Sequence, residues 1–149
     1  MMDNDKLFEH AWKYFEIHSQ QRVNVINFFL AISGVVGAGI GLSLQQGGGF
    51  NYSAGMLSLF LSFLSFIFWK LDERVSLMIK NSEVALSLLE EKFNHSEVKL
   101  FTNDKMTTSI SNGSISAWTY GRCFRCAFCV VGYAGLLIAI ISFSLIYFK

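Results

Sequence analysis

The sequence predicts an all-α membrane protein: three transmembrane helices and a cytoplasmic helical stalk, built from an N-terminal amphipathic helix and an extension of the second span. Three observations predict it. The chain has 149 residues, of which 52% are hydrophobic and only 15% charged, whereas a soluble domain carries roughly 25% charged residues. Three separate runs of about 20 residues contain no charge at all. Proline is absent, which suits long uninterrupted helices better than the loops of a soluble domain. Fifteen Phe against twelve Lys plus Arg leave too little charge to coat a globule. The length fits one domain, and the spans consume much of it, so a large soluble catalytic domain is excluded. The net charge is +1 with signs alternating, which offers neither a basic face for nucleic acid nor an acidic tail.

Each element follows in chain order. Residues 1–22 include Asp3, Asp5, Glu9 and Glu16 and lack the basic start and cleavage site of a secretory signal. They read instead as a cytoplasmic amphipathic helix. Phe8, Ala11, Trp12 and Phe15 share one face, and Asp3 or Asn4 can cap its start. Residues 23–44 form the first span, and 45–49 (QQGGG) a short outer turn. Residues 50–69 form the second span, its first turn weakened by Asn51 and Ser53. About 20 apolar residues at ~1.5 Å rise cross a hydrocarbon core of ~30 Å. Residues 70–126 make a cytoplasmic helix and polar loop. Leu71, Val75, Met78, Ser82, Ala85 and Leu89 are spaced four and three residues apart, a seam of coiled-coil period leaving the second span. Helix from Lys70 to Phe93 would project about 35 Å. Thr102 to Ser116 is small and polar, with Gly113 its expected turn. Residues 127–149 complete the third span.

Orientation follows from the cations near the span ends. Lys6, Lys13 and Arg22 precede the first span, and Lys70, Arg74, Lys80, Lys92, Lys99, Lys105, Arg122 and Arg125 lie between the second and third. The turn at 45–49 carries none, and only Lys149 follows the third span. The N-terminus is therefore expected inside the cell and the C-terminus just outside it. Trp69 with Lys70, and Trp118 with Tyr120 and Arg122, fall where an inner interfacial belt belongs; Tyr147 and Phe148 would mark the outer one.

Ser33, Gly37 and Gly41 repeat at every fourth residue of the first span, with Gly34 beside them. Small residues so spaced let helix backbones approach closely. They serve either self-association, with a pore lined by this span, or packing inside one subunit against a weaker strip of Gly135 and Ala139. Asn24 and Asn27 sit one turn apart at the inner end of the span, where polar groups need partners or water. A conduction mouth or a plain helix contact would both use them. Trp12, Phe15, His18 and Arg22 on the first helix, with Asp72, Arg74, Val75, Met78 and Leu89 on the second, make the stalk and its partner seam. A bridge from Arg22 to Asp72 would lock the two, though exposed pairs contribute little.

Chemistry finds little support. Cys123, Cys126 and Cys129 lack a fourth ligand for a closed tetrahedral site, and His10, His18 and His95 are distant in sequence. Small side chains in a reducing compartment are the simpler reading. No Ser–His–Asp order, phosphate loop, zinc-protease or dinucleotide motif occurs. No catalytic residue, metal or cofactor is expected, and the protein is not expected to be an enzyme.

The stretch WKYFEIHSQQRVNVINFF (Trp12 to Phe29), followed by LDERVSLMIKNSEVALSLLE (Leu71 to Glu90), resembles the transmembrane effectors of bacterial phage defence, notably those of retrons. The resemblance covers residues 8–93, and the third span departs from the two usual there. It implies a toxic, homo-oligomeric inner-membrane effector that permeabilises the membrane when a partner complex releases or activates it. The implied partners are membrane lipids, other copies of the chain, and a soluble defence complex such as a reverse transcriptase with its nucleic acid, with no direct nucleic-acid binding by the chain itself. The alternative is a non-conducting anchor that recruits a soluble partner through its stalk.

Overall fold

A computed structural model describes residues 4–91, 99–103 and 120–147. Three long helices make up nearly all of it: α1 (Asn4–Gln46), α2 (Phe50–Glu90) and α3 (Tyr120–Tyr147). All three are long and apolar enough to cross a membrane. The amphipathic stretch and the first span thus belong to one continuous helix, and so do the second span and the seam beyond it. Glu91 is already a turn, so α2 stops short of the expected Phe93. The Asp3 cap, the Gly113 turn, Trp118, His95 and Phe148 lie outside the described residues.

The turn between α1 and α2 is made by glycine. Gly47 and Gly48 take φ of +64° and +59°, the left-handed region that a side chain disfavours. The chain therefore reverses between Gln46 and Phe50. The Gly47 N–H donates to the Ser43 carbonyl, while Phe50 and Asn51 donate to Gly47 and Gly48, so helix ends are satisfied as they must be near lipid.

The chain divides into two units, Val23–Glu73 with Tyr120–Lys149, and Met1–Arg22 with Arg74–Thr119. In the first unit, Ile26, Phe29 and Phe128 form a buried cluster flanked by Phe68, Trp69, Phe124 and Val131. Phe29 meets Phe128 edge-on at 4.7 Å between ring centroids and Phe68 at 5.4 Å. Between lipid-facing helices the hydrophobic drive is small, so close packing and hydrogen bonds must hold them. The α2–α3 contact meets that need. A methyl group added at Gly135 would lie 2.6 Å from Ser62 Oγ and 2.9 Å from the Ser58 carbonyl oxygen, and one at Gly55 would lie 2.8 Å from the Phe143 ring. The Ser62 hydroxyl donates to the Gly132 carbonyl at 2.8 Å. Such bonds average roughly 0.6 kcal/mol within membranes. Ser58, Ser65 and Ser142 donate to carbonyls four residues back on their own helices, so each packs as a small residue with its hydroxyl satisfied.

In the second unit, Glu90 is 3% exposed and faces the short helical turn at 100–103. Its carboxylate accepts the N–H groups of Phe101 and Thr102 at 3.2 and 3.0 Å and the Thr102 hydroxyl at 3.1 Å. A negative charge at the start of a helical turn answers N–H groups that have no partner within it. The clasp holds Phe101 edge-on to Phe15 at 5.3 Å and to Trp12 at 6.2 Å.

Candidate self-association site on the first helix

The least covered span is α1: 11% of its most apolar window is buried, against 28% for α2 and 17% for α3. Its inward face is Ile26, Phe29 and Ile40. Ser33, Val36 and Gly39 are half-buried beside it, while Asn24, Asn27, Gly34, Gly37 and Gly41 are exposed. A methyl group built at Gly34, Gly37 or Gly41 would meet nothing within 4 Å, whereas Gly39 touches Leu57 at 3.4 Å. Among the described residues, internal packing therefore does not use these three glycines. The close approach within the chain belongs to Gly55, Gly132 and Gly135, and the expected strip of Gly135 and Ala139 faces α2 as a buried surface. Ser33 lies on the inward side, its Oγ buried without a hydrogen-bond partner among the described residues.

The stalk residues divide. Phe15 is half-buried and Trp12 half-exposed, both against Phe101. His18 Nδ1 lies 3.1 Å from Gln21 Oε1, and its ring stacks edge-on with Tyr14. Arg22 is half-buried and Arg74 exposed. Asp72 is 1% exposed, and its carboxylate lies 3.9 Å from Arg125 Nε on α3, a partner that sequence reasoning did not weigh. Lys70 bridges Glu73 at 2.8 Å and lies 4.8 Å from the Trp69 ring centre, as suits an interfacial belt. Along α2 the buried column runs through Asp72, Val75, Ile79, Ser82, Leu86 and Glu90. The expected seam shares Val75 and Ser82 with it. Met78 and Leu89 are half-buried, and Leu71 and Ala85 are exposed.

Sequence reasoning gave no role to Glu90, Ser62 or Gly55. The sequence pattern did not mark Glu90, because it lies one position from Leu89 on the expected seam and on the column that the structure buries. Cys123, Cys126 and Cys129 are free and exposed, and among the described residues no three metal-ligating side chains gather.

A chain of three apolar helices, with the small and polar face of one span exposed among the described residues, has the form of a helical membrane protein. The chain belongs to the Octameric membrane protein family (8xMP), whose family model matches residues 5–143. It is 50% identical over 135 residues, 91% of this chain and 89% of the relative, to CD-NTase-associated protein 19 of Escherichia coli. No solved structure matches it. These relationships bear out an oligomeric membrane protein of phage defence. They do not point to retrons in particular.

Proposed function

We propose that the chain is a non-enzymatic effector of the bacterial inner membrane, silent in its resting octamer, which permeabilises the bilayer when a defence complex signals infection. The observation that carries this is the uncovered face of α1. Two asparagines and three glycines lie exposed on a spanning helix, and none of the five has a partner among the described residues; polar groups at that depth need other helices or water. The cation distribution supports a cytoplasmic N-terminus and a periplasmic C-terminus. The relative's printed name favours a CD-NTase system as the signalling partner, and nothing among the relatives favours a retron reverse transcriptase.

Induced expression with the CD-NTase partner, followed by membrane potential and growth, tests the proposal. Rapid depolarisation is expected. Gly37→Leu, which fills an open glycine position, should abolish toxicity while membrane insertion persists; retained toxicity would sink the role of this face. One observation favours a second reading, that of a non-conducting anchor. Leu77, Val84 and Leu88 form an exposed apolar stripe on α2 that a soluble partner could cover. That reading expects a copurifying partner, lost on Leu88→Asp, and an unchanged potential throughout.

A further inference from the structure

From Asn24 onward, α1 holds two columns of residues seven apart: Asn24, Ala31, Ala38 and Gln45 in one, and Asn27, Gly34 and Gly41 three residues on. These are the two inner positions of a heptad, filled without one bulky side chain. All are exposed in the single chain. The columns beside them differ from each other. Phe28, Val35 and Leu42, 65%, 75% and 61% exposed, form a bulky flank, while Leu30, Gly37 and the half-buried Leu44 form a flank with a gap at Gly37. The side opposite the columns is buried against the chain itself through Ile26, Phe29 and Ile40. Neither other span offers such a face. The exposed membrane residues of α2 include Phe60, Phe63 and Phe66, and those of α3 include Val130, Leu137 and Ile140, all suited to lipid.

A closed ring of identical helices requires two unlike flanks that fit each other, since its contacts are head-to-tail. α1 has them: a bulky column on one side and the Gly37 gap on the other. The family is octameric. Eight helices at the usual ~8–10 Å spacing would enclose an opening on the order of 10–15 Å across once a helix radius of ~5 Å is subtracted. Alanine and glycine cannot fill that width.

We propose that eight α1 helices form the inner ring of the octamer. Phe28, Val35 and Leu42 of each copy pack on the Gly37 flank of the next, and the asparagine, alanine, glycine and glutamine columns face a water-filled axis. The permeant class rests on the permeabilising function proposed above. It is small hydrated ions of either sign, because the columns from Asn24 to Gln45 carry no charge to favour one sign over the other.

Two measurements on the full-length chain test this. The first uses a background in which Cys123, Cys126 and Cys129 are changed to serine, with Val35→Cys and Gly37→Cys introduced together. Mild oxidation in membranes should yield a ladder of linked copies, while each single cysteine stays monomeric. Absence of the ladder, in a variant that still isolates as an octamer, overturns the ring. The second is the reversal potential across planar bilayers under a KCl gradient, with the CD-NTase partner present. The parent chain should reverse near zero, Ala38→Asp should shift toward potassium, and Ala38→Lys toward chloride. A conductance indifferent to both substitutions overturns the water-lined columns and leaves permeabilisation standing. A ladder without conductance overturns permeabilisation and the permeant class, and leaves the ring standing.

Discussion

Gly135 shows how much a single hydrogen in place of a methyl group decides in this chain. An alanine there would press on the Ser58 carbonyl oxygen at 2.9 Å, and backbone cannot turn aside as a side chain can. Gly135→Ala should therefore part α2 from α3 and cost about 1–3 kcal/mol, seen as a lowered melting temperature in detergent. Gly34→Ala meets open space and should leave the melting of the isolated subunit unchanged. Glu90 is the residue-scale counterpart in the second unit. Glu90→Ala removes the acceptor for two N–H groups, and such losses cost about 1–3 kcal/mol. Hydrogen exchange at Phe101 and Thr102 should rise sharply, and proteolysis at 99–103 should follow. An unchanged exchange rate would show the clasp to be idle.

At the scale of the element, α2 separates what its pattern shows from what it hides. That a helix continues beyond Trp69 was legible, because apolar residues recur every three or four positions there. Which column faces inward was not. Leu71 and Ala85 keep the right period but lie one position from the buried Asp72 and Leu86. The buried column contains Asp72, Ser82 and Glu90, so the hydropathic pattern points slightly away from the packed face. Hydropathy scores a serine as polar, although Ser82 donates to the Ile79 carbonyl at 2.7 Å and packs as a small residue. Two substitutions distinguish the columns. Leu86 is fully buried, so Leu86→Ala should destabilise by about 2–5 kcal/mol, whereas Leu71→Ala, at a half-exposed site, should stay within roughly 0.5 kcal/mol. Thermal or denaturant melts of the two variants make the comparison.

For the whole molecule, the three spans were readable because the bilayer sets both their length and their exclusion of charge. The fold class therefore followed from composition and three runs of residues. The candidate site was readable in part. Ser33, Gly37 and Gly41, with Gly34 beside them, were visible as a strip, but that Ser33 turns inward and the glycines do not depended on where α2 and α3 found their own contact. They found it through serines and through Gly55, Gly132 and Gly135, which frees the α1 glycines for neighbours. The octameric state makes a further prediction at this scale. Gly37→Leu, placed on the flank between copies, should lower the octamer fraction by native mass measurement while each subunit keeps its helical content. An intact octamer would move the interface elsewhere.

Ser62 bonds in two directions, and this bears on how the helices could move. Its hydroxyl lies 2.8 Å from the Gly132 carbonyl on α3 and 3.2 Å from the Ser58 carbonyl on its own helix. If α3 slides along α2, the proton has a second acceptor already within reach. The joint can open without stranding a polar group in lipid, so the polar part of the contact adds orientation but little friction. The close contacts at Gly55 and Gly135, and not the serine, therefore carry the pair's resistance to sliding.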